Sequence, residues 1–517
     1  MQNNVTLDSI RTSHPLVHRY FSMLRDGEKH LSRILELDRY WMQIQDLPPR
    51  DVVFPGEKLP GGVTISGECD IFYAGGTLGL LHAAVMAERY GYKVMLIDKH
   101  VSGKSTRDWN ISRGELDRLE ETGIFSAEEI ESFIVRKYKT GWVEFFAEDS
   151  RRRKRLYMYD VLDCAVEAER VLGAAKRKIL GKEGCCTVLD RTTFRCCYRF
   201  SDHIIVEVAG PEGKVLFFKA KVLVDVMGIL SPIAMQLNKG RSQTHVCPTV
   251  GTIASGFRDV DYDVGEILAS TEPADTSAGS GRQLIWEGFP AAGKQYVTYL
   301  FFYDTIDSDN DKTLLGLFET YFQKLPDYKT LSDDFRIHRP VFGIIPAYSH
   351  GGFTREREIA DDRVVLFGDA ASLGSPLTFC GFGSMVRNLP HLTGALDRAL
   401  DTGSLTRTDL EQISSYEPNV ASMANLMKYM CYDARTDTPG FVNELMNEVM
   451  IVLDGLPQRY RQTMFRDEML LDDFVTVLLK VAWRYPKVLK ATYDKLGIDG
   501  SVSFIKNLAG WAFSGGK

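Results

Sequence analysis

The chain has 517 residues, 44% of them apolar and 25% charged, with a formal net charge of −7. That length exceeds one hydrophobic core and predicts two or three domains, and the composition excludes global disorder. The acidic balance argues against a general nucleic-acid binder, whose affinity depends on neutralising phosphates.

Residues 1–60 read as a helical extension with apolar positions at Leu24, Leu31, Ile34 and Leu35, closed by Pro48-Pro49 and a Pro/Gly loop. His14 and His18 have helical spacing but no third or fourth ligand nearby, so they read as surface histidines and no metal site is expected. Next, Cys69-Asp70-Ile71-Phe72-Tyr73 is a short apolar strand running into Ala74-Gly75-Gly76-Thr77-Leu78-Gly79. A helix rich in leucine and alanine follows to Gly91, then the buried strand Lys93-Val94-Met95-Leu96-Ile97 ending in Asp98. Strand, glycine turn, helix, strand and terminal acid make a βαβ unit.

Two capping boxes, Ser112 with Glu115 and Ser126 with Glu129, predict helix starts, and Gly123 a stop. A helix is predicted over 160–172 with Gly173 at its C-terminal cap. The run Arg151-Arg152-Arg153-Lys154-Arg155 reads as a solvated loop rather than a lipid contact. Residues 203–209 and 215–227 form a hairpin through Gly210-Pro211-Glu212-Gly213. A second sheet spans about 246–345, its clearest strands 283–289 and 295–303; Arg363-Val364-Val365-Leu366-Phe367 is again a buried strand, and from 384 onward the pattern is helical. Nine cysteines without C-x-x-C spacing predict reduced thiols. No window offers the ~18–20 uninterrupted apolar residues of a membrane span, and no apolar secretory leader is read at the N-terminus.

The first glycine string departs from G-x-G-x-x-G at Ala74. Gly76 would let the backbone approach a pyrophosphate, Gly79 would allow helix and strand to pack closely, and Gly75, Thr77 and Leu78 complete a loop at a helix N-terminus, where free N–H groups favour an anion. Asp98 and Lys99 stand at the end of the next strand, where an acid bonds ribose hydroxyls. Alone, this string also suits a glycine turn with no nucleotide. A second string, Gly368-Asp369-Ala370-Ala371 with Pro376 and Gly381-Phe382-Gly383, follows another buried strand and opens a second helix. Together the two resemble the halves of one FAD site in two-domain flavoproteins, in which such an aspartate holds the ribityl chain and the loop after it lies near the isoalloxazine ring. Val224-Asp225-Val226-Met227-Gly228 resembles the segment packed beside the adenine side, and equally suits an ordinary strand end.

Trp109-Asn110-Ile111-Ser112-Arg113, Ser231-Pro232-Ile233-Ala234 and Trp286-Glu287 with Phe289-Pro290, set between the two strings, and Ser375-Pro376-Leu377, within the second, extend the likeness. In this order the motifs resemble the CruA/CruP group of lycopene cyclases, within the PHBH-like FAD fold, over roughly residues 65–400. Ala74, the helix-breaking Gly114 and the cysteine-rich stretch 185–197 depart from that pattern. The implied fold class is α/β with an α+β second domain. A discontinuous Rossmann-like FAD-binding domain would cover 61–245 and 346–405, an antiparallel substrate sheet 246–345, and a helical region 406–517.

The resemblance implies cyclisation of the end groups of lycopene without net redox change, with FAD in its reduced form, reduced by NAD(P)H. Glu287 is the expected acid: its apolar neighbours would raise a carboxyl pKa by desolvation, although strand alternation also allows it to face solvent. Arg113 is expected near the flavin, with a helix-surface charge as the equal alternative. Of the aromatic residues Trp286, Phe289, Tyr296, Tyr299, Phe301, Phe302 and Tyr303, one or two are expected to face substrate and the rest to be core. A C40 hydrocarbon is insoluble in water, so a peripheral membrane contact is expected, in a cytoplasmic or stromal setting. Its candidates are the last helices, carrying Phe474 to Trp483 and Phe504, Ile505, Leu508, Trp511 and Phe513 with Lys506 and Lys517. The rival readings on the same fold are a prenyl reductase or monooxygenase, and a non-catalytic CruP-like paralogue.

Overall fold

The computed structural model describes residues 6–46, 49–105, 108–182, 184–241, 243–277, 281–378 and 381–515. Pro48 and Lys517 lie outside the described residues.

Four short, largely apolar runs explain the first sheet. Val94–Ile97, Ile71–Ala74, Val222–Asp225 and Val364–Leu366 are buried along their length, as strands covered on both faces must be. They pair in parallel in that order, with Thr187–Leu189 beyond the first and Ala360–Asp361 antiparallel beyond the last. The chain runs outward from Ile71–Ala74 through Val94–Ile97 to Thr187–Leu189, then crosses back to Val222–Asp225 on the other side. That reversal is a topological switch point, where open α/β sheets form a crevice at the carboxyl ends of their strands. Both glycine strings leave the sheet at this edge. The class expected from sequence, α/β with a discontinuous Rossmann-like unit, is the one found.

The predicted hairpin is present, but its return strand divides at Lys221. Val215–Ala220 belongs to a five-stranded sheet and Val222–Asp225 to the parallel one. Cys196 and Cys197 lie inside the strand Thr193–Arg199 of that five-stranded sheet. Among the described residues the cysteines are free thiols.

The large sheet has eight strands, with His245–Phe257, Tyr296–Phe301, Ile285–Pro290 and Val264–Ala269 as neighbours and Leu331–Ala347 paired to the first. It also takes in Thr140–Glu144, parallel to Val264–Ala269, and Leu156–Met158. Alternation splits its residues between two cores. One face meets the N-terminal helices and the helix Leu314–Tyr328; the other meets Pro418–Met430, Phe441–Asp454 and the C-terminal helices.

The predicted helix over 160–172 is not formed as read. Cys164–Glu167 is a strand held between Asp108–Ile111 and Ile134–Lys137, and the helix runs over Ala168–Leu180, placing Gly173 in its interior. Pairing with two distant strands outweighs the local helical periodicity. The basic run makes ordinary surface contacts, with Arg155 on Glu144 and over the Trp142 ring.

Candidate functional site: a two-loop crevice and a buried glutamate

The first glycine loop is pressed against the end of the neighbouring strand. Gly75 has φ +121°, and a Cβ there would lie 2.6 Å from the Val226 carbonyl carbon. A Cβ at Gly79 would lie 2.7 Å from Val226 Cγ2, and one at Gly76 2.6 Å from Ser102 Cβ. All three positions therefore demand glycine. Ala74 is still strand, paired with Ile97 and accepting from Val226 N–H at 2.9 Å. The left-handed turn falls one residue later, so an alanine fits the first motif position without strain. Beyond it, the N–H groups of Thr77, Leu78 and Gly79 have no acceptor among the described residues, and Thr77 caps the helix Leu78–Glu88 without a side-chain bond.

Asp98 turns back onto this loop, accepting from Gly76 N–H at 2.8 Å and from His100 N–H at 2.7 Å. Lys99 instead pairs with Glu36 at 2.9 Å on the long N-terminal helix.

The second loop starts where Phe367 N–H donates to the Asp225 carbonyl at 3.0 Å, and Gly368 turns with φ +60°. Asp225 is wholly buried, bonded to Ser231 and to Met227 N–H, and burial raises its pKa to about 6. Buried Arg357 donates to the carbonyls of Ala371 at 2.5 Å and Ala370 at 2.8 Å, fixing the backbone just after Asp369. Farther along, the Tyr303 hydroxyl donates to the Pro376 and Leu377 carbonyls at 3.2 Å. Thr378 donates to Asp467 at 2.7 Å. Phe382 stacks on Trp109 at 4.0 Å, and Gly383 lies against the Glu115 carboxylate. Thus Trp109, from one motif, and Phe382, from another, are in direct contact.

Around this loop lies a buried charged cluster absent from the sequence expectations. Arg387 pairs with Glu115 at 3.2 Å and Glu417 at 3.0 Å. Asp467 lies beside it, its pKa pushed by burial to about 7. Glu115 was marked only by its capping box, and the other three carry no local signal, because they meet across distant segments.

Arg113 is not brought to the crevice. The Ser112–Glu115 capping box starts a helical turn that sends its guanidinium outward to Asp117 and Glu131.

Glu287 is buried, 5% exposed, which removes the solvent-facing reading. It shares a sheet face with Ile285 and Phe289, opposite Tyr299 in register. Its Oε1 has no hydrogen-bond partner among the described residues, and desolvation holds its pKa well above the ordinary carboxyl value. The same face carries Phe301 and Tyr303; Tyr303, whose pKa is raised chiefly by burial and further by its nearness to Glu287, holds the second loop. Trp286, Tyr296 and Phe302 fall on the opposite face as core, Trp286 stacked on Tyr328 at 4.5 Å. At the far end of the Glu287 face, Ile253, Gln295, Asp108 and Arg339 line a groove of ≈ 490 Å³. The Arg339–Asp108 ion pair, at 2.6 Å, stands in its wall.

No protein-family model matches the chain, and no curated protein matches it in sequence. Solved structures match it in fold. A geranylgeranyl bacteriochlorophyll reductase-like protein from Thermoplasma acidophilum superposes with a TM-score of 0.61 over 83% of this chain and 99% of that one, at 14% identity. A point mutant of the halogenase PltM in complex with FAD gives 0.53 over 80% and 85%, at 13% identity. The p-nitrophenol 4-monooxygenase PnpA from Pseudomonas putida gives 0.51 over 78% and 98%, at 14% identity. The fold is theirs. At such identities the likeness describes architecture, and the chemistry rests on the residues above.

Proposed function

We propose that the chain is an FAD-dependent enzyme acting on an isoprenoid hydrocarbon, and that its reaction is proton-initiated cyclisation of the end groups of lycopene. The residues fit the cofactor: three unbonded amides at a helix N-terminus, glycines packed where no Cβ has room, and open space beside Gly368 and Gly381. Thr77, Leu78 and Gly79 would hold the pyrophosphate, Asp98 and Lys99 the adenosine ribose, Gly368 and Asp369 the ribityl chain, and the loop through Pro376, Gly381, Phe382 and Gly383 the ring. Bound and reduced, with NAD(P)H as the expected electron source, FAD would supply an electron-rich surface that stabilises positive charge.

Glu287 carries this reading. A carboxyl whose protonated form is favoured by burial, on a face shared with Tyr299, Phe301 and Tyr303, suits proton donation to an alkene. Its proton would add to the terminal double bond, the neighbouring alkene would close on the tertiary cation, and a proton would leave the new ring. Mass is conserved. Aromatic faces nearby would stabilise the cation by ~0.5–2 kcal/mol each.

The C-terminal helices support a bilayer as the source of substrate. Leu479 and Trp483 on Leu471–Arg484, and Leu489, Tyr493, Ile505 and Phe513 on Lys487–Phe513, are exposed, Trp483 by 85% and Phe513 by 84%. Exposed cations Lys480, Arg484, Lys487 and Lys490 lie among them, suiting an anionic lipid surface. Among the described residues no helix is long and apolar enough to cross a membrane, so the contact proposed is interfacial.

Reduction of a prenyl double bond is the second reading, favoured by the geranylgeranyl bacteriochlorophyll reductase-like neighbour. Expression in a lycopene-accumulating host, with chromatography and mass measurement of the pigments, separates the two. Cyclisation gives ring-containing carotenoid of unchanged mass, and reduction adds hydrogen. Anaerobic reduced protein that leaves lycopene in liposomes unchanged would overturn the cyclase reading.

A further inference from the structure

The N-terminal helix Gly27–Asp46 joins the two halves of the molecule through residues two positions apart. Asp38 accepts from the N–H groups of Leu314 at 2.7 Å and Leu315 at 3.1 Å, capping a helix packed on the large sheet. Glu36 reaches the other way, to Lys99 at 2.9 Å and, through its second oxygen, toward His100 at 4.0 Å. Arg33 completes the bridge on Glu36 at 2.5 Å, and the Lys99 ammonium lies over the Tyr40 ring at 5.0 Å. Residues 33, 36 and 40 repeat at helical i, i+3 and i+7 spacing, so they share one face. The same helix also packs on the Gly228–Leu230 turn.

Those two contacts fix where the helix lies. Lys99 follows the end of the strand Val94–Ile97, and Gly228–Leu230 follows the end of Val222–Asp225, the strands flanking the one that delivers the first glycine loop. Two strand spacings are about 10 Å, well within the ~30 Å reach of a 20-residue helix. The helix therefore crosses the carboxyl edge of the parallel sheet beside Asp98.

We propose that this helix is the outer wall of the dinucleotide site at its adenosine end, with Tyr40 and Glu36 as binding residues for the adenosine group. Tyr40 is 45% exposed and offers an aromatic face for a purine. Glu36 offers a carboxylate acceptor for the purine amine or the ribose hydroxyls. The inference rests on the FAD reading and extends it to a segment lying outside both glycine strings.

The test compares FAD with FMN, which lacks the adenosine. Dissociation constants are measured by flavin fluorescence on the full chain and on its Tyr40→Ala and Glu36→Gln variants, with Tyr40→Phe as the conservative control. The expected result is an about tenfold weaker FAD affinity in Tyr40→Ala and Glu36→Gln, FMN affinity unchanged, and FAD affinity kept in Tyr40→Phe. FAD affinity unchanged in both variants, or FAD and FMN weakened equally, would overturn the assignment while leaving the cofactor reading intact. Wild-type protein that binds no flavin would overturn the cofactor reading itself, and this inference with it.

Discussion

Gly383 faces the Glu115 carboxylate with no room for a side chain between them: a Cβ at that position would stand 2.6 Å from Glu115 Cδ. The carboxylate is pinned there by Ser112 N–H at 3.3 Å and Arg387 at 3.2 Å. Gly383→Ala is therefore expected to destabilise the protein by about 1–3 kcal/mol through overpacking, read as a lower denaturation midpoint at unchanged slope. Adding Glu115→Ala should relieve part of that loss, making the two costs non-additive. Simple additivity would mean that the two residues do not meet.

Glu287→Gln is expected to keep the fold and the flavin and to lose cyclised product. Because the acid works only while protonated, wild-type turnover should fall as pH rises through its elevated pKa. A variant that still forms rings would move the proton donor elsewhere, to the flavin among other groups.

Asp369→Ala should yield protein without the yellow flavin absorbance, since this residue anchors the second half of the proposed site. The neighbouring backbone is held independently by Arg357, so the variant should still fold, as circular dichroism can check. Retained colour would defeat the two-part site.

Asp467 predicts a pH signature. Its unfolded form ionises near the ordinary carboxyl value, whereas burial keeps the folded form protonated up to about 7. Between these values the folded state binds more protons, so the group's contribution to stability is full at low pH and declines as pH rises. The slope is at most about 1.4 kcal/mol per pH unit. Denaturation of wild type and Asp467→Asn at about pH 5 and about pH 8 should show the wild type losing ground to the variant at the higher pH. A constant difference would place the proton on another member of the Glu115–Arg387–Glu417 cluster.

Trp483→Ala and Phe513→Ala together should reduce co-sedimentation with anionic liposomes severalfold while leaving thermal stability nearly unchanged, because both side chains are exposed. Raised salt should weaken binding further through the surrounding lysines. Unaltered sedimentation would exclude this face as the lipid contact.

Local chemistry made much of the fold legible. Both capping boxes, at Ser112 and Ser126, close as their spacing predicts, and the βαβ unit around Gly75–Gly79 stands where its apolar runs put it. What escaped depends on distant partners. Cys164–Glu167 has apolar content that serves helix or strand, and only Asp108–Ile111 and Ile134–Lys137 decide the matter. Thr140–Glu144 joins the large sheet through a parallel pairing with Val264–Ala269. At the site, burial of Glu287 follows from which face of its strand meets the C-terminal helices, a choice that period-two alternation leaves open. Asp467 was invisible because its role arises from Thr378, 89 positions away in the chain.

The displaced turn at Gly75 has a consequence for how such loops are recognised. What the geometry demands is one left-handed residue where the chain leaves the strand, and this chain meets that demand at the second position of its string. A pattern that insists on glycine at the first position tests for a habit of spelling, and it passes over proteins that satisfy the same backbone requirement one letter later.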